Sequence, residues 1–227
     1  MNLSDKIIHF NRSLNLDAEL PEGIRVMNPY LENPSAWEAS SRFYRKYYND
    51  DHPRKMILGI NPGRFGAGVT GIPFTDTRRL VEKCGIEIPG LNTYEPSSVF
   101  VYEFIEAFGG VEAFYSQYYI SAVCPLGFVK LNDKGKEINY NYYDSRELQD
   151  AVAGFITRSI EEQLEFGIDT RVCACLGNNK NYRYLEQLNR EKRYFGKIIP
   201  LEHPRYIMQY RARQKEEYIR RFVDLLK

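Results

Sequence analysis

Apolar positions along the chain fall into short unbroken runs separated by longer stretches with helical spacing. Residues 56–60 (MILGI) are all apolar and end at a turn signal, which predicts a buried strand. Runs at 118–124, 171–176 and 197–201 have the same character. Amphipathic patterning predicts helices at 4–14, 34–48, 76–84, 97–107, 111–117, 145–165, from about 178, and at 211–226. Pro34 and Ser35 open one of them; Thr75 or Asp76 caps another, which Gly85 stops. Residues 130–144, rich in Asn and Tyr, read as an irregular surface excursion. Apolar strands alternating with helices predict an α/β fold: a central four-stranded parallel sheet with helices on both faces. A length of 227 residues suits a single domain, with the helical segment of about 1–50 packed on its core.

Composition narrows the function classes. No 18-residue apolar run exists, so no membrane span is expected. The N-terminus lacks the apolar centre of a signal peptide, which points to the cytoplasm. Four cysteines, Cys84, Cys124, Cys173 and Cys175, fit free thiols in a reducing compartment. With no C-x-x-C and three scattered histidines, neither a metal nor an iron–sulfur centre is expected. Net charge is only +1, yet 12 Lys/Arg stand against 5 Asp/Glu between Lys180 and Arg221. That density suits a polyanionic partner. A solvated surface helix carries the same signature, so charge alone leaves both readings open.

Candidate chemistry lies at two strand ends. After the first strand comes Gly59-Ile60-Asn61-Pro62-Gly63-Arg64-Phe65-Gly66, leading to Gly71-Ile72-Pro73-Phe74. Open α/β sheets bind ligands at the carboxyl ends of their strands. Glycines there let backbone N–H groups approach a bound group. An Asn-Pro-Gly can equally tie down a turn. The string from Gly66 to Gly71 also matches G-x-G-x-x-G, which would make the chain a dinucleotide-dependent oxidoreductase. That mechanism needs a helix opening at once, and Pro73 follows two residues after Gly71. Beyond the last predicted strand comes Leu201-Glu202-His203-Pro204-Arg205. In a parallel sheet His203 and Asn61 end on the same rim, and Pro204 restricts the loop's exit.

The string LGINPGRFGAGVTGIPF and the downstream His-Pro-Arg together resemble the uracil-DNA glycosylase superfamily, in particular its single-strand-selective monofunctional branch. That branch carries a similar G-M-N-P-G-P-F-G…T-G-V-P-F-G string and a later H-P-S-P-R. The resemblance spans roughly residues 56–211 and implies a monofunctional DNA glycosylase without metal, cofactor or covalent lysine. It implies that Asn61 positions the attacking water and His203 stabilises the departing base. Gly63, Phe65, Phe74 and Ser121 become base-binding residues, with Phe74 the stacking aromatic. Arg64, Arg205, Arg211 and Arg213 become contacts to DNA, the expected partner, single-stranded or mismatched, of a monomer. One departure stands out. Where the family often has a base-reading Asn at the end of strand two, this chain has Ser121 or Ala122, according to alignment. A hydroxyl does not offer a donor and an acceptor at fixed positions as an amide does. A wider range of deaminated bases, 5-substituted uracil, hypoxanthine or xanthine, is the expected consequence. A catalytically silent nucleic-acid-binding module on the same fold is the alternative.

Overall fold

The computed structural model describes residues 1–227. Asn2 starts the first helix, α1 (Leu3–Ser13), by accepting the Asp5 N–H on its side chain. There follow strand β1 (Ile24–Met27), the short helix α2 (Pro29–Glu32) and α3 (Pro34–Tyr47). Next come β2 (Lys55–Gly59), the single turn α4 (Ala67–Thr70), α5 (Thr77–Cys84), α6 (Pro96–Phe108) and α7 (Val111–Tyr115). The second half holds β3 (Tyr118–Ala122), β4 (Gly127–Leu131), β5 (Glu137–Tyr140), α8 (Arg146–Leu164) and β6 (Asp169–Leu176). It closes with α9 (Lys180–Lys192), β7 (Lys197–Leu201), α10 (Pro204–Tyr210) and α11 (Lys215–Leu226).

The four predicted strands form one parallel sheet in the order β3-β2-β6-β7. Neighbouring side chains of β3 show the two layers, because successive residues of a strand point to opposite faces. Tyr118 packs on Phe108 and Phe114 and bonds the Leu226 carbonyl, so α6, α7 and α11 cover its face. Tyr119 packs on Tyr48 and Phe166, placing the segments after α3 and α8 on the other. A cluster of 55 buried apolar residues includes Leu3, Ile7 and Phe10 as well as Phe100 and Phe222, so α1 shares the core of the sheet.

Two expectations need correction. Residues 130–144 are irregular only in part: within them the end of β4 and all of β5 pair antiparallel, and β1 pairs with β4, making a second, three-stranded sheet. Their turn is built by Asn132, whose side chain accepts the N–H groups of Lys134 and Lys136, with Gly135 at φ +68°. The last helix also starts later than residue 211. The chain first forms α10, then a 3-10 turn at Ala212–Gln214, then α11.

Candidate active site

The carboxyl end of β2 is held before Asn61 is reached. Val123 N–H donates to the Gly59 carbonyl (2.9 Å) and Cys124 N–H to that of Ile60 (3.0 Å), extending the pairing past the strand. Asn61 then reaches across to the segment after β5. Its Oδ1 accepts the Tyr142 N–H at 3.1 Å, and its Nδ2 donates to the Tyr140 carbonyl at 3.2 Å. Tyr142 is fully buried, and its hydroxyl donates to Asn181 Oδ1 at 2.9 Å. Asn181 Nδ2 in turn donates to the Gly59 carbonyl at 3.2 Å. One tyrosine therefore braces the amide by its backbone and the strand end by its side chain. Asn61 Nδ2 also reaches the Pro62 carbonyl at 3.4 Å, so the capacity this amide keeps is the second lone pair of its Oδ1.

His203 is the N-cap of α10, with Pro204 at the first helical position. Its Nδ1 accepts the Arg205 N–H at 3.1 Å. The proton of the neutral ring must then sit on Nε2. Removal from water and the nearby Arg205 charge push the His203 pKa down to about 3. At neutral pH the ring is an uncharged donor through Nε2.

Phe74 lies beside it, ring centroids 5.6 Å apart and planes tilted by 51°. Gly59 makes this position available. A Cβ there would lie 2.8 Å from Phe74 Cε2. Phe74 itself sits at φ +52°, a backbone region costing a non-glycine residue about 1–3 kcal/mol.

Asn61, Gly63, Phe74, Ser121, His203 and Arg205 line one cavity of about 270 Å³. Small-ligand sites typically measure about 300–1,000 Å³, so the space suits one nucleobase better than a dinucleotide. The glycine run after Asn61 opens only the four-residue turn α4, ended by Gly71 at φ +68°. It supplies no long helix for a pyrophosphate. The other sequence-derived candidates lie outside the cavity. Phe65 is 47% exposed, with the Arg64 guanidinium 4.1 Å from its ring centre. Arg211 and Arg213 are exposed on the surface after α10, where Arg211 Nε donates to the Tyr206 hydroxyl at 3.1 Å.

Several lining residues escaped the sequence reading. Asn139, Asn141 and Tyr143 come from the segment read as irregular, and Asn139 Oδ1 accepts the Arg64 N–H at 3.0 Å. Their signal was the turn Asn132–Gly135 between two short apolar runs. Glu95 is the carboxylate of the cavity. It faces Gly63, and a Cβ on that glycine would lie 3.5 Å from its Oε1. Burial raises its pKa, against the opposing pull of Arg205. Tyr206 and Tyr210 stand at the cavity as an exposed aromatic pair, 5.6 Å between centroids.

A parallel α/β sheet with an amide and a neutral imidazole sharing a base-sized cavity at its carboxyl rim defines a nucleobase-excising class. The chain belongs to the Uracil DNA glycosylase superfamily, whose family model matches residues 45–227. It is therefore a DNA glycosylase, with DNA as its substrate polymer. Among solved structures it is similar to wild-type SMUG2 from Pedobacter heparinus, at 51% identity and a TM-score of 0.97. That similarity covers 99% of this chain and 97% of the other. No curated protein sequence matches it. No helix is long and apolar enough to cross a membrane.

Proposed function

We propose that this glycosylase hydrolyses the N-glycosidic bond of uracil in DNA by dissociative chemistry shared between Asn61 and His203. The observation that carries the proposal is that both residues line one cavity, with Phe74 beside the histidine. A base stacked in a duplex hides its glycosidic bond, so the nucleotide must swing out or be single-stranded already. Unstacking costs a few kcal/mol; packing the base on Phe74 returns about 1–3 kcal/mol.

Bond cleavage leaves positive charge on the sugar and negative charge on the base. By analogy with glycoside hydrolysis, the oxocarbenium-like centre accepts a weak nucleophile. Asn61 cannot take a proton from water at neutral pH, so its part is to hold and aim the water, whose proton is shed to the departing base anion as the C1–O bond forms. Its bonds to residues 140 and 142 fix the aim. His203 Nε2–H donates to the oxygen that becomes anionic. A neutral donor suits this step, since its proton stays on the ring throughout. Gly63 leaves room between Glu95 and Asn139 for a substituent on the base. Neither Ser121 nor Ala122 supplies an amide on β3, which favours a base range wider than uracil. Arg205, Arg211 and Arg213 are assigned to phosphates and the Tyr206–Tyr210 pair to the DNA around the extruded nucleotide.

The test is release of uracil from single-stranded and mismatched oligonucleotides, read as alkali-labile strand breaks. Wild type is expected to cleave, and Asn61→Ala and His203→Ala to lose most of the rate. Equal cleavage by all three proteins would sink the assignment. Cleavage by none would leave a DNA-binding module.

A further inference from the structure

Part of the floor of the cavity comes from outside the part of the chain that the family model matches. Asn11 at the end of α1, Tyr30 and Tyr44 all line it, and all precede residue 45, where that match begins. They meet Tyr119 and Ser121 of β3 there. Two of the tyrosine hydroxyls are committed elsewhere. Tyr30 donates to the Gly71 carbonyl at 2.7 Å, and Tyr119 to Gln163 Oε1 at 3.2 Å.

Asn11 is different. It is only 4% exposed, and its side-chain amide lines the cavity with Tyr44 without a hydrogen bond to any group of the chain. An amide offers two donors and an acceptor with two lone pairs, so this side chain brings unmet capacity to the cavity wall. Leaving a buried amide short of partners is costly, and an apolar residue here would avoid that cost. A ligand edge with a donor next to an acceptor would complete it.

We infer that Asn11 is a specificity-determining residue that reads the hydrogen-bonding edge of the extruded base. The inference rests on the glycosylase reading above. Asn11 supplies from helix α1 the amide that β3 lacks at Ser121 and Ala122. Its oxygen accepts from the imide N–H of the base, and its NH2 donates to an adjacent carbonyl. The substrate class is a base whose imide edge, C=O next to N–H, is free.

The experiment compares single-turnover release of uracil and of 3-methyluracil from otherwise identical oligonucleotides. The methyl group removes the N–H donor and leaves the rest of the ring unchanged. Wild type is expected to prefer uracil by about a hundredfold or more. Asn11→Ala is expected to bring the two rates within about threefold of each other, by slowing uracil alone. A lost packing contact would slow both bases alike. Asn11→Leu keeps the outline of the side chain, loses its acceptor oxygen together with its donor, and carries the comparison if the alanine variant does not fold. It is expected to shrink the preference at least about tenfold. An unmoved ratio, an equal loss for both bases, or no preference in wild type overturns the assignment. If wild type releases no uracil at all, the glycosylase reading itself has failed. If it releases uracil and the ratio does not move, only the role of Asn11 has.

Discussion

The cavity has two sides of different make. On the rim, Asn61 is bonded at both ends of its amide, and His203 is fixed by a backbone N–H and a proline. On the floor, the buried Asn11 amide is tied to no group of the chain by a hydrogen bond. Rim groups must meet a transition state, in which a misplacement of about 1 Å can cost a hundredfold. Floor groups need only recognise a base, and bases differ in outline. The contrast teaches that rigidity in this site follows the chemistry, while adaptability follows recognition.

Loss of the rim's imidazole should give the largest effect. His203→Ala is expected to lower the excision rate by a factor of about 10²–10³, the usual cost of one preorganised donor, 2.7–4 kcal/mol. Single-turnover kinetics at saturating enzyme would measure it. The charge state gives a second check. His203 has its pKa pushed down to about 3, so the rate should show no step near the ordinary histidine value of about 6.5. A step there, abolished by His203→Ala, would mean that a charged ring does the work. Stability carries the opposite sign from a paired histidine. The unfolded chain takes up a proton as pH falls below about 6.5 while the folded ring does not. The His203 contribution should therefore erode between that pH and about 3, and His203→Gln should flatten this slope in thermal melts.

The bracing behind the rim comes next. Tyr142→Phe removes the hydroxyl that reaches Asn181 Oδ1 at 2.9 Å. An unpaired buried acceptor costs about 1–3 kcal/mol, which should appear as a lower Tm. Because the backbone of Tyr142 also aims Asn61, kcat should fall while KM stays within about twofold. A change in KM alone would show that the network serves binding rather than aim. Phe74→Ala is expected to cost about 1–3 kcal/mol of stacking. It should do so more for duplex than for single-stranded substrate, because a stacked duplex base has to be unstacked first.

Much of the rim was readable in the sequence, and little of the floor. The parallel strands stand out because both of their faces are buried, giving unbroken apolar runs such as MILGI. Parallel topology then brings Asn61 and His203 to one edge without knowledge of their side-chain contacts. Strands β4 and β5 escaped because Lys130, Glu137 and Asn139 interrupt their apolar residues, and the side chains of β5 are half-buried or exposed, without the alternation that marks a strand. With them went Asn139, Asn141 and the backbone that holds Asn61. Phe65 shows the reverse failure. It sits inside the most informative motif, yet the loop turns it outward beneath Arg64. Asn11 lies in an amphipathic helix whose pattern says which face is inward but not that an inward amide meets a cavity.

The smallest expected effect tests where the two sides of the cavity meet DNA. Arg213 is exposed and forms no ion pair within the chain, so its charge is free for a phosphate. Lys215, two residues on, is bonded to Glu103 at 2.7 Å and is not. Each phosphate neutralised releases counterions, so log Kd varies with log salt concentration in proportion to the number of contacts. Arg213→Ala should reduce that slope by about one and weaken binding alike for uracil-containing and undamaged DNA. Lys215→Ala should leave the slope unchanged, because its charge is already compensated. Binding isotherms at several salt concentrations would separate the two. A selective loss for uracil-containing DNA in Arg213→Ala would mean that this arginine belongs to base recognition, and that recognition extends beyond the floor.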